Sequence, residues 1–241
     1  MWTYSPGTLL SYAKNGIEMA TGIKCQYHAN MQRLTEIALE SGQGIFTRAE
    51  VACWFGGSPQ RQFSLVKRAL ARQEIVHVRR GLYCLATKYL RQKIDPLVLA
   101  QRIYGPSYIS LETALSYHGW IPEAVYAVTS TALDRSREFD TSLGHFSFTR
   151  VPQETFYADV SRVEREPGSS FLVASPLKAL ADYVHVHKQN WNSARPVVQS
   201  LRVDESLLKD VNAETFDVLL ANYRSLRVRR FLRGLRKDLK R

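Results

Sequence analysis

In residues 45–85 the pattern of apolar and polar positions predicts two short helices followed by a β-hairpin. Thr47 and Glu50 have the spacing of a capping box, in which each side chain satisfies a free backbone N–H group at a helix start. Gly56 and Gly57 end the pattern, since glycine readily adopts the conformation that closes a helix. A first helix is therefore predicted between Thr47 and this glycine pair.

A second helix is predicted to begin almost at once, because Ser58 offers a capping oxygen and Pro59 a preset backbone angle. Phe63, Val66 and Leu70 recur at helical spacing and are predicted to form one apolar stripe that faces the core. The polar residues of this helix are Gln60, Arg61, Ser64, Lys67, Arg68 and Arg72. The arginines and the serine fall opposite the stripe, so the outer face is predicted to be cationic.

Two β-prone runs, residues 75–78 and 82–85, follow the second helix. The residues between them are Arg79, Arg80 and Gly81, and the glycine supplies the positive φ that a tight hairpin needs. The tip of the predicted hairpin is therefore basic.

Capped helix, short turn, second capped helix and basic hairpin, in this order, are typical of a winged helix-turn-helix. In that arrangement the second helix enters the major groove of double-stranded DNA and the wing reaches phosphates. We expect Arg61, Ser64 and Arg68 at base edges. An ordinary solvated helix face is the alternative, since most runs of charge are of that kind. The remaining predicted DNA contacts are Gln60, Lys67, Arg72, Arg79 and Arg80.

The net charge of +11 is unevenly distributed along the 241 residues. Residues 1–95 carry 13 basic and 6 acidic side chains, residues 96–212 carry 11 and 13, and residues 213–241 carry 9 and 3. Basic ends around a slightly acidic middle are expected of a chain with a nucleic-acid face and a separate second domain. The length also favours two domains.

Composition excludes several other classes. No stretch approaches the ~20 consecutive apolar residues of a membrane span, and no secretory signal pattern is present. We therefore expect a cytoplasmic protein with no membrane partner. The three cysteines are far apart, and the six histidines lack metal-ligand spacing except for His185 and His187, whose rings would diverge on a helix. Neither a metal nor a cofactor is predicted.

Residues 96–212 mix helix and strand signals, which predicts an α+β domain. The predicted helices are 97–103, a helix capped by Ser110 that runs through Tyr117, and a helix from Ser175-Pro176 to about Val186. The predicted strands are 124–129, 137–140, 145–151 and 171–174. A first helix of the winged module is predicted from Met31 to Leu39.

The chain ends in a basic segment that predicts two amphipathic helices. Leu226, Phe231, Leu232 and Leu235 are predicted to form the apolar face of the last helix. Phosphate contact is the favoured interpretation of its charge, with RNA, an acidic partner surface, an anionic membrane or a merely solvated face as alternatives. The residues assigned to these phosphate contacts are Arg227, Arg230, Arg233 and Lys237.

Several short motifs occur in a distinctive order over about residues 31–187. They are Gly81-Leu82-Tyr83, Tyr108-Ile109-Ser110-Leu111, Ala114-Leu115, His118-Gly119, Val128-Thr129 and Ser175-Pro176-Leu177-Lys178-Ala179-Leu180 with Asp182. This order resembles the AbiEi group of bacterial type IV antitoxins and transcriptional regulators. One departure is Leu177, which stands where the family pattern often has glutamate, so no role of that glutamate is carried over.

The resemblance implies a winged helix that binds an inverted repeat in its own promoter. It also implies a second domain that counters a co-encoded nucleotidyltransferase-type toxin, usually without a stable complex. The expected function is a DNA-binding transcriptional repressor that is not an enzyme. The predicted domains are an N-terminal arm at 1–29, the winged helix-turn-helix at 30–95, an α+β antitoxin-type domain at 96–212 and a basic helical tail at 213–241.

The main alternative is an RNA-acting or nucleotide-modifying enzyme that uses the winged module for docking; a regulator with no toxin partner is a third possibility. A magnesium nuclease would want an acidic residue two positions before a lysine on a strand, and only Asp238 and Lys240 have that spacing, in the basic tail. A nucleotidyltransferase would want two aspartates flanking one residue after Gly168-Ser169, and none follow. The side chains available as acid and base are His118, His145, Asp182 and His185.

Overall fold

The computed structural model describes residues 34–41, 44–122, 126–165 and 169–240. Within them lie ten helices and two sheets, with 46% of the chain in helices and 22% in strands. The predicted mixed α+β class is confirmed at this level. The predicted arm at 1–29, the helix start at Met31 and the strand start at residue 124 lie outside the described residues.

The chain divides between Arg91 and Gln92 into two compact units, the N-terminal unit and the C-terminal unit. The described elements of the N-terminal unit are α1 (Leu34–Glu40), β1 (Ile45–Thr47), α2 (Arg48–Phe55), α3 (Pro59–Ala71), β2 (Ile75–Arg79), β3 (Leu82–Leu85) and a 3-10 turn (Thr87–Tyr89). The three strands form an antiparallel sheet in the order β1-β3-β2. Helices α1, α2 and α3 contribute side chains to one core with this sheet.

Two of the three helix starts predicted for this unit, at Thr47 and Ser58, are confirmed. Thr47 and Glu50 form the capping box, with the Glu50 N–H donating to Thr47 Oγ1 at 3.2 Å and the Glu50 carboxylate accepting from the Thr47 N–H. The Arg61 N–H donates to Ser58 Oγ at 3.3 Å. Gly81 has φ +77° at the hairpin turn, as the sequence predicts.

The predicted apolar stripe of α3 is partly wrong. Val66 is buried, but Phe63 is 53% exposed and Gln62 takes the inward position. The Gln62 amide donates to the carbonyl oxygens of Gly56 and Gly57 at 3.2 and 3.3 Å, so it satisfies the turn between α2 and α3. Burying the Gln62 amide costs little free energy, because its two hydrogen bonds to the backbone replace hydrogen bonds to water. The same bonds supply the Gly56 and Gly57 carbonyl oxygens with a donor.

The C-terminal unit combines one mixed sheet with helices. Its described elements are α4 (Pro96–Ile103), β4 (Ser107–Ile109), α5 (Leu111–Tyr117), β5 (Ala127–Ala132), β6 (Arg137–Thr141), β7 (Gly144–Arg150), β8 (Val160–Glu164), β9 (Ser170–Ala174), α6 (Pro176–Val186), α7 (Arg195–Leu201), α8 (Glu205–Lys209), α9 (Ala213–Asn222) and α10 (Leu226–Asp238). The strand order is β6-β7-β5-β4-β9-β8. The pairs β5/β7 and β4/β9 are parallel and the other pairs are antiparallel.

Most elements predicted for this unit exist, with two corrections. Ser110 stands at the N-cap of α5, but its hydroxyl makes no cap bond and instead donates to Asp182 Oδ2 at 2.7 Å. Leu226 is predicted to lie on the apolar face of the last helix, but it is 80% exposed, and Val228 is buried instead. Elements β4, β8, α7 and α8 have no counterpart in the sequence prediction. No helix in the described part of the chain is long and apolar enough to span a membrane.

Candidate functional site

Helix α3 presents its polar side away from the core of the N-terminal unit. Val66 and Ala69 are buried on the inner side, which fixes the rotation of the helix. Ser64 is half-buried, and its carbonyl accepts from Arg68 Nε at 3.3 Å. The other predicted contacts on this helix are all exposed: Gln60, Arg61, Lys67, Arg68 and Arg72.

Within the described residues, no carboxylate pairs with the cations of this face. Arg61, Lys67, Arg68 and Arg72 form no salt bridge with any other described residue. Three exposed cations on α3 and a fourth, Arg72, at its C-cap create a local positive potential that attracts polyanions. Because the side chains are solvated, they can turn toward phosphates or base edges with little desolvation cost.

The hairpin of β2 and β3 places its two arginines differently. Arg80 is exposed, whereas Arg79 is half-buried and one of its guanidinium nitrogens donates to the Arg80 carbonyl at 3.2 Å. The Arg48 N–H donates to the Gly81 carbonyl at 2.9 Å, which ties the turn to the start of α2. The hairpin therefore has an exposed arginine, Arg80, at its tip and a second, Arg79, that is held against the turn.

Phe63 is an unpredicted member of the exposed side of α3. It lies three residues after Gln60 and four before Lys67, so the three side chains are neighbours on the helix surface. The hydrophobicity of Phe63 predicts a core position. Phe63 is exposed instead, because the Gln62 side chain occupies the inward position. The signal available in the sequence was the glycine pair, whose carbonyls need a donor close by.

Helix α10 carries a second basic surface, the basic groove, with a volume of about 490 Å³. Three of the four predicted phosphate contacts line it, and Arg229 was missed. The fourth, Arg227, is half-buried outside this lining, and its Nε donates to Asn190 Oδ1 at 3.4 Å. The lining consists of Asn192, Leu226, Arg229, Arg230, Arg233, Gly234 and Lys237.

Acidic side chains around α10 are engaged elsewhere. Arg224 pairs with Glu154, and Arg236 pairs with Asp217 at 2.6 Å. Asp238 accepts the Ala194 N–H at 2.8 Å. The cations of the basic groove have no carboxylate in their lining, so the groove suits an anion.

Asp182 lies at the centre of a buried hydrogen-bond network in the C-terminal unit, here called the Asp182 network. Its Oδ2 accepts from Tyr108 Oη at 2.9 Å, Ser110 Oγ at 2.7 Å and Thr131 Oγ1 at 3.2 Å. Its Oδ1 accepts from Tyr223 Oη at 2.5 Å. One carboxylate of α6 thus joins β4, the start of α5, β5 and the residue that follows α9.

Lys178 extends this network as a fully buried cation. Its Nζ donates to Gln153 Oε1 at 2.5 Å and lies 5.0 and 5.3 Å from the ring centres of Tyr108 and Tyr223. Burial lowers the pKa of Lys178, and the negative charge of Asp182 opposes that shift. The buried amine and carboxylate therefore moderate each other's desolvation cost.

Burial raises the pKa values of Tyr108 and Tyr223 well above the usual value of a phenol, and the charge of Asp182 raises both further. Above pH of about 10 the unfolded tyrosines lose protons that the folded ones keep, so stability falls as pH rises. Lys178 has the opposite effect on stability. Between its lowered folded pKa and about pH 10.4 the unfolded state binds more protons at this residue, so its contribution to stability rises with pH.

We expect Tyr223→Phe to reduce the alkaline loss of stability. Each tyrosine contributes a slope of about 1.4 kcal/mol per pH unit between its unfolded and folded pKa values. Urea unfolding at several pH values between 9 and 12 measures the slope. Comparing the slopes of the variant and the unaltered protein cancels the contributions of other groups that titrate in this range. One of these is Cys84, because burial raises its pKa to about 11. Equal slopes for the two proteins would contradict the buried, protonated state of Tyr223.

The four acid and base candidates do not form one cluster. His118 Nε2 lies 2.9 Å from the Ala174 carbonyl, and His145 Nδ1 lies 2.6 Å from the exposed Asp140 carboxylate. Asp182 is saturated by hydroxyl donors. Among the described residues, no group of three or more His, Cys, Asp or Glu side chains is placed to hold a metal ion.

A scan against models of protein families gives no match to this chain, and no curated protein matches it.

Proposed function

We propose that the N-terminal unit is a winged helix-turn-helix that binds double-stranded DNA and that the protein is a transcriptional repressor. The observation that carries this proposal is the exposed cationic side of α3 beside a hairpin with an arginine at its tip. A helix of this width fits the major groove, where arginine recognises guanine through two hydrogen bonds. Arg80 then contacts a phosphate, which positions the protein without reading sequence.

Arg68→Ala is expected to weaken binding to the cognate site by about 1–3 kcal/mol and to relax base preference at one position. Arg80→Ala is expected to weaken all sequences alike and to lower the slope of log K against log salt by about one. Electrophoretic mobility shifts with the DNA upstream of the gene, at several salt concentrations, measure both.

The matched control is Arg91→Ala, an exposed arginine of the same unit outside α3 and the hairpin. It should leave affinity unchanged. The proposal fails if Arg68→Ala and Arg80→Ala bind the upstream DNA as tightly as the unaltered protein, or if Arg91→Ala weakens binding as much as they do.

The basic groove of α10 is proposed as a second phosphate contact. Support comes from its four cations and from the engagement of nearby carboxylates with other partners. Such a contact adds affinity without specificity. Changing Arg230, Arg233 and Lys237 together to Gln should therefore reduce the salt slope while leaving the order of sequence preference intact; an unaltered slope would contradict the contact.

We further propose that the repressor is the antitoxin of a type IV toxin-antitoxin pair that regulates its own operon. This rests on the resemblance to the AbiEi group, and an adjacent nucleotidyltransferase gene would be the partner. Expression of the adjacent gene alone should inhibit growth, and co-expression of this protein with it should restore growth. Arg68→Ala should keep this rescue while losing repression, which separates the two functions. A toxic neighbour that the protein does not neutralise would refute the antitoxin role and leave a plain regulator.

A further inference from the structure

A second concave surface, here called the polar groove, lies in the C-terminal unit and has a volume of about 580 Å³. None of its residues belongs to α3, the hairpin or the basic groove. Its volume is within the range of small-molecule sites. The lining consists of Leu133, Asp134, Arg135, Ser136, Arg150, Pro152 and His185.

The sheet topology builds this groove. Strands β5 and β7 are parallel, and Ala132 at the end of β5 pairs with Arg150 at the end of β7. The loop after β5 therefore emerges beside Arg150, at the carboxyl ends of two parallel strands. Crevices outside such ends are the usual binding places in open sheets with parallel strands.

Hydrogen bonds hold the loop in position. The Leu133 N–H donates to the Pro106 carbonyl at 3.1 Å, and the Arg150 N–H donates to Ser136 Oγ at 3.0 Å. Because Ser136 Oγ accepts this bond, its own proton remains available to donate. The groove thus has a preformed hydroxyl donor close to the backbone of an arginine.

The groove is positively charged. Arg135 and Arg150 are exposed and form no salt bridge with another described residue, while Asp134 is the one carboxylate in the lining. His185 Nδ1 is buried with no hydrogen-bond partner in the described part of the chain. Burial lowers the pKa of His185; the positive charge of Arg227 adds to this, and Asp182 opposes it.

We propose that the polar groove binds the phosphate group of a small phosphorylated ligand of nucleotide size. Two arginines and a serine hydroxyl line the same groove, and arginine binds phosphate oxygens through paired hydrogen bonds. The remaining volume accommodates the rest of the ligand. This site is independent of the proposed DNA-binding surface.

The test measures thermal stabilisation and calorimetric binding of the full chain at constant ionic strength. The probes are inorganic phosphate, adenosine monophosphate and adenosine triphosphate, with sodium chloride as the reference. Saturable binding of at least one phosphate probe is expected. Stronger binding of the nucleotides than of inorganic phosphate identifies a nucleotide as the source, and equal binding identifies free phosphate; either result supports the site.

Arg135→Gln with Arg150→Gln should weaken this binding by about tenfold or more. Asp134→Asn should strengthen it, because a repelling charge is removed. The matched control is Arg137→Gln, an exposed arginine of β6 outside the lining, which should bind as the unaltered protein does. The double variant should still bind the upstream DNA.

Absence of saturable binding by all three probes would overturn the proposal, as would equal binding by the double variant. A double variant that fails to fold is replaced by Asp134→Asn, whose predicted gain in affinity needs no loss of structure. Unchanged affinity of that variant would also overturn it.

Discussion

Asp182→Ala is expected to destabilise the C-terminal unit by about 5 kcal/mol or more, enough to leave much of the protein unfolded. Domains of this size are stable by only about 5–15 kcal/mol. The reason is the number of groups that depend on one carboxylate: the hydroxyls of Tyr108, Ser110, Thr131 and Tyr223 all donate to it.

Alanine would leave these four buried donors without their acceptor. Each buried polar group that loses its partner costs about 1–3 kcal/mol. Lys178, which is fully buried, would also lose the negative charge that offsets its desolvation, which adds to the loss. The contributions overlap, so we expect a loss below their sum.

Urea unfolding followed by circular dichroism measures the effect. Asp182→Asn keeps one acceptor oxygen and the shape of the side chain, so it should lose less and remain foldable if the alanine variant does not. The matched control is Asp140→Ala, an exposed aspartate whose bond to His145 contributes at most about 1 kcal/mol. A stability of Asp182→Ala within 1 kcal/mol of the unaltered protein would contradict the role of the network.

The Asp182 network gives a structural reason for the sequence Ser175-Pro176-Leu177-Lys178 with Asp182. Ser175 accepts the Lys178 N–H at 3.2 Å and Pro176 occupies the first turn, so these residues start α6. Lys178 and Asp182 lie one turn apart on its buried side. Leu177, between Pro176 and Lys178, is also fully buried. The motif therefore fixes a helix start and a buried polar centre.

Local chemistry explains what could be predicted from the sequence. The sequence predicts helix starts at Thr47, Ser58 and Ser175, because the side chain of each bonds to a backbone N–H only three residues away. The exposed cationic side of α3 followed from the same spacing. Arg230, Arg233 and Lys237 were likewise grouped by helical periodicity, and they do line one groove.

Contacts that lie outside the helical and strand periodicity explain what could not be predicted. Ser110 has the chemistry of a cap, but Asp182, 72 residues away, takes its hydroxyl. Phe63 is predicted in the core because apolar periodicity alone does not show that the Gln62 amide donates to the carbonyl oxygens of Gly56 and Gly57. The polar groove depends on the pairing of Ala132 with Arg150, which is a matter of strand register.

Gly234→Ala is expected to destabilise the C-terminal unit, although alanine normally favours a helix interior by about 1 kcal/mol. A methyl group at position 234 would lie 1.8 Å from the Asn192 carbonyl oxygen and 2.4 Å from its carbon. Both atoms are backbone, so the overlap cannot be relieved by rotating a side chain. Either α10 or the segment that contains Asn192 must move.

That segment is held against α10 on both sides of the overlap. The Trp191 ring packs 6.2 Å from the Phe231 ring, measured between centroids, and Asp238 accepts the Ala194 N–H at 2.8 Å. Moving the segment away would loosen both contacts, and moving the helix would lift the buried Phe231 from the core. Overpacking of this kind costs about 1–3 kcal/mol or more.

The expected net loss for Gly234→Ala is about 2 kcal/mol, measured by urea unfolding. Gly234→Val should lose more, because its side chain is larger and disfavours helices. Arg233→Ala, one residue earlier and exposed, is the control and should change stability by less than about 0.5 kcal/mol. An alanine variant at least as stable as the unaltered protein would mean that helix propensity prevails and that Asn192 does not approach α10 this closely.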